Sequence, residues 1–178
     1  LWRPTTNDRG PYRCLVGNGN WPIAGSVAAT QLGNARRALD ECRRLAATKV
    51  PAPDFTPLTD NDAVQRRLLE LEAEWMAACS SVERQLDAMW SEALSDGELS
   101  ADCRWRLATA NVHANRTAVR VVDGAAEISG TAVVDRGSVT ARSLCDARAL
   151  AGHISTSGAV LERAAQVSLG LVGEDLLV

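Results

Sequence analysis

The sequence predicts an all-α fold, an antiparallel up-down-up-down four-helix bundle over residues 26–170, and two observations carry that reading. Four long segments place apolar residues at the three- and four-residue spacing of a single helix face. Short breaks rich in Pro, Gly and Ser separate them, and long helices joined by short connections pack side by side in alternating directions.

Taken in order, residues 1–25 form an irregular lead-in, broken by Pro4, Gly10, Pro11, Gly17, Gly19 and Pro22. The first helix, about 26–48, carries Ala28, Leu32, Ala35, Leu39, Cys42 and Ala46 on one face. Pro51, Pro53 and Pro57 end it in a stiff linker. The second helix, about 60–94, has Val64, Leu68, Leu71, Trp75, Cys79, Val82, Leu86 and Met89 in register, with Thr59 or Asp60 as N-cap. Ser95-Asp96-Gly97 closes it. Ser100 caps a third helix, about 100–128, through Cys103, Leu107, Ala110, Ala114 and Val121, and Ser129-Gly130-Thr131 breaks it. The fourth, about 138–170, holds Leu144, Leu150, Ile154, Leu161, Ala165 and Leu169. Its middle contains Gly152, Ser155, Thr156, Ser157 and Gly158, each poorer than Ala in a helix by up to ~1 kcal/mol, so a break near 152–158 is expected. Residues 171–178 are a tail. β-Branched runs at Val119–Val122 and Thr131–Val134 would suit short strands, but the helical pattern on either side favours helix.

Composition removes several function classes. The net charge is −3, and basic residues alternate with acids, as in Glu41-Cys42-Arg43-Arg44, which gives no electrostatic reason to expect nucleic acid or an anionic membrane. Five cysteines lie far apart with no paired spacing, arguing against a disulfide framework or a zinc site. A bundle di-iron centre needs Glu-x-x-His pairs, and the residues three before His113 and His153 are Ala110 and Leu150, so no metal is expected. Nucleotide-binding glycine motifs, the G-x-S-x-G elbow and H-E-x-x-H are absent. No apolar run reaches the ~20 residues of a membrane span and no signal-peptide pattern opens the chain, which reads as cytoplasmic. It begins at Leu1 and reads as a piece of something longer.

Three phrases in a fixed order carry a family resemblance. Gly33-Asn34-Ala35-Arg36-Arg37-Ala38-Leu39-Asp40 is similar to the small-residue start of the first C-terminal helix of acyl-CoA dehydrogenases. Leu58-Thr59-Asp60-Asn61-Asp62-Ala63-Val64-Gln65, then Leu68, Leu71 and Glu72, resembles that family's linker and second helix. Cys145-Asp146-Ala147-Arg148, with Thr156-Ser157 ten residues after Asp146, resembles the family's Arg-Asp-Ala-Arg followed by Tyr-Glu-Gly-Thr-Ser. The likeness covers roughly residues 22–170.

The resemblance implies an FAD-dependent oxidoreductase that dehydrogenates acyl-CoA in lipid metabolism. Its helical C-terminal domain shares a flavin pocket with a β-domain and with a neighbouring subunit of a homo- or hetero-oligomer, commonly a tetramer. Carried over residue by residue, it implies cofactor contacts at Gly130, Thr131, Asp146, Arg148, Thr156 and Ser157. Two departures stand out. The family's Tyr-Glu-Gly falls on His153-Ile154-Ser155, so the usual proton-abstracting carboxylate is Ile154, which cannot take a proton. The family's Gln-x-x-Gly-Gly falls on Glu127-Ile128-Ser129-Gly130-Thr131, keeping one glycine.

A histidine here also resembles the flavin-dependent monooxygenase branch of the same fold, which acts on phenolic or similar aromatic molecules. In that reading His153 is the catalytic group, and the bland alternative is a structural histidine on a helix face. A third reading is a non-catalytic oligomerisation subunit. In all three, the chain alone is expected to be inactive and to bind FAD weakly or not at all.

Overall fold

A computed structural model describes residues 21–52, 55–96 and 99–172. Five helices form: α1 (Trp21–Ala46), α2 (Asp62–Asp96), α3 (Ala101–Ser129), α4 (Val139–Ala151) and α5 (Gly158–Ser168). Short 3-10 turns lie at Leu58–Asp60, Gly130–Val134 and Ile154–Thr156, and no strand occurs among the described residues. Both β-branched runs are helical, Val119–Val122 inside α3 and Thr131–Val134 in a 3-10 turn.

Two expectations need correction, the extent of the lead-in and the N-cap of the second helix. The lead-in was placed over 1–25, but α1 starts at Trp21; Pro22 falls in its first turn, where a missing N–H costs no helical bond. Residues 1–20 and 173–178 lie outside the described residues. The fourth segment, 138–170, is broken where expected, into α4 and α5 parted by the weak Gly152–Ser157 stretch. The N-cap of α2 is neither Thr59 nor Asp60: the Asn61 carboxamide oxygen accepts from the backbone N–H of Ala63 and Val64, at 3.0 and 3.2 Å. Ser100 does cap α3, accepting from Cys103 N at 3.2 Å.

Helix α3 is the axis, and every other helix packs on it. Its inward faces are small: Ala110, Ala114, Ala118 and Ala125 are buried with Ala28, Ala35, Ala38 and Ala78 of its neighbours. Such residues let helix backbones approach, while Leu32, Leu39, Leu71 and Val82 supply the apolar volume. Gly124 is the tightest point: a Cβ there would lie 2.6 and 2.9 Å from the two methyls of Leu71, which is fully buried. A second core, Met89, Ala93, Leu99, Cys103, Leu107, Ala164 and Val167, joins the far end of α2 to α3 and α5.

Polar contacts fix the register. Arg36 bonds Glu72 and Asp40 at 2.7 Å each and lies 5.0 Å over the Trp75 ring, whose indole N–H donates to Leu32 O. Lys49 donates to Ser129 O at 2.7 Å, a cation set at the carbonyl end of α3. At the α2–α3 connection, burial raises the Glu92 carboxyl, but hydrogen bonds from Ser100 and Cys103 outweigh it and hold its pKa below the usual value. Burial, with Glu92 beside it, pushes the Cys103 thiol up to about 12, so it is an inert core group.

Two glycines should respond in opposite directions. Nothing lies within 4 Å of a Cβ built on Gly33, so Gly33→Ala gains up to ~1 kcal/mol of helix propensity. Gly124→Ala should lose about 1–3 kcal/mol by overpacking Leu71. Urea midpoints read both, and a stabilised Gly124→Ala would refute the close approach of α2 and α3. Because the folded pKa of Glu92 is depressed, its contribution is present above the ordinary carboxyl value and lost as pH falls through the folded one. The stability gap between wild type and Glu92→Gln should therefore be positive near neutrality and close in acid; a gap independent of pH contradicts the bonding.

Candidate functional site

Gln31 lies on the apolar stripe of α1, three residues after Ala28 and four before Ala35, and is completely buried. Its Nε2 donates to Asn115 Oδ1 at 2.7 Å and to the Ala147 carbonyl at 2.9 Å. Asn115, on α3 and 2% exposed, donates through Nδ2 to Thr156 Oγ1 at 2.6 Å. The Thr156 hydroxyl in turn donates to the His153 carbonyl at 3.2 Å. The direction is forced. Both acceptors at Gln31 require its NH2, so Asn115 must turn its oxygen inward and its NH2 to Thr156. The cost is that Gln31 Oε1 stays buried without a partner.

This chain of bonds ends in the turn between α4 and α5. The Ser155 backbone N–H donates to His153 Nδ1 at 3.2 Å, with the Ser155 hydroxyl 2.7 Å from the same nitrogen. A backbone N–H can only donate, so Nδ1 is the acceptor and the neutral ring carries its proton on Nε2. Nε2 makes no hydrogen bond among the described residues. Ile154 beside it is 79% exposed.

Thr156, Ser157 and Gly158 line an open groove of about 390 Å³ with Asn115, Arg116, Val119, Arg120 and Ala151. Ser157 stands at the N-cap of α5, yet its side chain makes no capping bond and the first turn holds no acid. Arg120 bonds Thr117 and approaches Glu74 at 3.5 Å, whereas Arg116 is exposed and has no ion pair among the described residues. A Cβ on Gly158 would sit 3.9 Å from the Arg116 guanidinium. The groove thus joins a free cation, a free hydroxyl and the amide end of a helix, a setting for an anionic or polar group.

The residues singled out from sequence do not converge. Gly130, with φ 55°, ends α3, and its N–H is committed to Ala126 O and Glu127 O. From Asn115 to Gly130 is roughly 22 Å along the helix. Thr131 is exposed beside Gly130. Asp146 and Arg148 are not partners: Arg148 bonds Asp123 at 2.8 Å, and Asp146 is exposed. Thr156 and Ser157 reach one groove, but His153 is not among its lining residues, and the Thr156 hydroxyl is already bonded on both sides. His113 is exposed, 3.4 Å from Thr117. No cluster of three His, Cys, Asp or Glu side chains able to hold a metal occurs among the described residues, and no helix there is long and apolar enough to cross a membrane.

Sequence reasoning missed Gln31, Asn115 and Arg116. Gln31 interrupts an apolar stripe, the mark of a buried polar side chain. Arg116 has Val112, His113, Val119 and Arg120 at the helical neighbour positions, so no acid of its own helix can pair with it.

Comparison with known proteins comes from two directions. Residues 26–158 match the family model described as acyl-CoA dehydrogenase, C-terminal domain. Among solved structures, XiaF from Streptomyces sp., in complex with FADH2 and glycerol, superposes with a TM-score of 0.83 at 21% identity, over 96% of this chain and 43% of its own. The 3-HSA hydroxylase from Rhodococcus sp. RHA1 gives 0.77 at 22% identity, over 90% and 41%. The chain therefore spans less than half the length of either. No curated protein sequence matches it.

Gln31→Leu leaves the buried Asn115 Oδ1 without a donor and takes the side-chain donor from the Ala147 helix carbonyl, and should cost about 1–3 kcal/mol. Arg148→Ala removes only an exposed pair and should cost under ~1 kcal/mol. Chemical denaturation of both variants ranks them, and equal losses would contradict the buried relay.

Proposed function

The chain belongs to the acyl-CoA dehydrogenase C-terminal domain family, and from that premise we propose that it is the helical part of an FAD-dependent oxidoreductase, contributing one wall of a flavin and substrate site. The observation that carries this reading is the groove beside the turn at 153–157, the turn that the family resemblance singled out. Ser157 and Arg116 are its unspent polar groups and suit an anionic stretch of a dinucleotide. Gly130 and Thr131 lie too far along α3 to touch the same stretch. They fit a second contact, with a neighbouring subunit's cofactor in a tetramer. Bound FAD would supply the redox chemistry, and these residues would bind and orient it.

The pairings support the up-down-up-down reading with a fourth rod broken in two: Leu32 and Arg36 meet Trp75 and Glu72, and Gln31 and Asn34 meet Ala147 and Ser143.

Two reactions compete for this frame. Dehydrogenation of an acyl-CoA requires a base, and Ile154 cannot serve, so the base would come from another part of the protein. Hydroxylation of an aromatic molecule is favoured by a specific observation: His153 beside Ile154 keeps Nε2–H free to donate to a substrate oxygen. The hydroxylase among the structural relatives and the FADH2 held by the other support the same branch.

Protein made from the complete reading frame should purify with flavin absorbing near ~450 nm. Colourless protein that takes up no added FAD would leave the non-catalytic oligomerisation subunit. With flavin present, anaerobic bleaching by acyl-CoA supports dehydrogenation; oxygen-dependent product formation, lost in His153→Ala, supports hydroxylation. Arg116→Ala should weaken flavin affinity about tenfold, the loss of one charge-assisted bond. The 178 residues alone should bind FAD only weakly. Fluorescence titration giving a micromolar or tighter constant would contradict the shared pocket.

A further inference from the structure

We propose that Asn115 is a positioning residue for the turn at 153–157, setting through Thr156 the pose in which the neutral His153 ring offers a hydrogen-bond donor at Nε2. The inference deepens the flavin-site reading and rests on it for its functional meaning.

Every backbone bond of the turn is local: His153 N to Leu150 O, Thr156 N to His153 O, Ser157 N to Ile154 O. Such a turn, set between two helix ends and flanked by Gly152 and Gly158, has little intrinsic stiffness. Thr156 is its one buried residue, and Asn115 is the one side chain from outside that hydrogen-bonds it among the described residues. Asn115 in turn has no freedom, because Gln31 holds its oxygen.

The consequence reaches the imidazole through the backbone. The Thr156 N–H and hydroxyl both donate to the His153 carbonyl, closing the turn over that peptide. With the turn closed, the Ser155 N–H points at Nδ1 and excludes a proton there. The ring can then present only Nε2–H to a ligand, which must bring an acceptor oxygen such as a phenolate or carbonyl. Were Thr156 released, Ser155 N–H would lose its fixed aim and Nδ1 could carry the proton instead. Asn115 thus selects the tautomer without touching the ring.

The test needs no flavin. The 178-residue chain is labelled with 15N-histidine, and long-range 1H–15N correlations are recorded in alkaline buffer, where imidazole is neutral. With only His113 and His153 present, His153→Gln assigns the signals. Wild type should show a pyridine-like Nδ1 and a protonated Nε2. In Asn115→Leu and in Thr156→Val the two ring nitrogens should move toward averaged shifts, and the Ser155 and Thr156 amides should exchange about tenfold faster. Thr156→Ser keeps the hydroxyl and should restore the wild-type spectrum. Lower melting temperatures with unchanged ring shifts and Ser155 exchange would reduce Asn115 to a packing residue and overturn the proposal, as would a wild-type ring protonated on Nδ1. Where Asn115→Leu fails to fold, the Thr156 pair decides. Absence of flavin from the complete protein is a separate result: it sinks the flavin reading and leaves the tautomer measurement intact.

Discussion

Two carboxamides shut inside an apolar bundle impose more order than any other contact in this molecule. A buried amide that loses its partner costs about as much as a large fraction of a domain's net stability, so Gln31 and Asn115 must find donors and acceptors or the packing fails. The Gln31 NH2 bonds Asn115 and Ala147 and the Asn115 NH2 bonds Thr156, so four elements are tied by one directional chain, with Gln31 Oε1 alone of these groups left unpartnered. Apolar packing would tolerate small rotations of α4 or of the turn that follows it. The amides do not, because hydrogen bonds weaken steeply with angle and distance.

The apolar part of the fold sets the scale on which that chain works. Alanines along α1 and α3, and the glycine under Leu71, bring the helices close enough for short side chains to bond across them. Larger residues at Ala114 or Ala118 would hold the rods apart and leave Gln31 short of Asn115. Small-residue packing and the buried relay are therefore one design: the first supplies the distance, the second the register.

This division explains what could be read from sequence. Helix existence was legible because it depends on periodicity, and the long stripes of α1, α2 and α3 are unambiguous. The break between α4 and α5 was legible because Gly152 and Gly158 weaken the helix locally whatever surrounds them. The caps were half legible: Ser100 acts where expected, but Asn61 displaced Thr59 and Asp60, since cap choice depends on where the linker delivers the backbone. The site was the least legible. Arg148 was read as a cofactor contact, whereas Asp123 faces it from α3 and takes its guanidinium. Thr156 was read as a cofactor ligand, but its hydroxyl faces inward, because only the folded bundle reveals that Asn115 waits there.

The same reasoning bears on Ile154. A carboxylate at this position would need desolvation to be tuned as a base, yet the side chain is largely open to solvent within this chain. Whatever buries residue 154 must come from outside the described helices. In the proposed assembly that cover is the rest of the protein, and an exposed isoleucine is well suited to be covered: it gains roughly 1.5–3 kcal/mol on full burial and asks for no partner. A glutamate would have to be paired or left protonated in the same place. In the proposed site, isoleucine at this position would shape an apolar wall, with the His153 imidazole and the Ser157 hydroxyl among the polar groups of the turn.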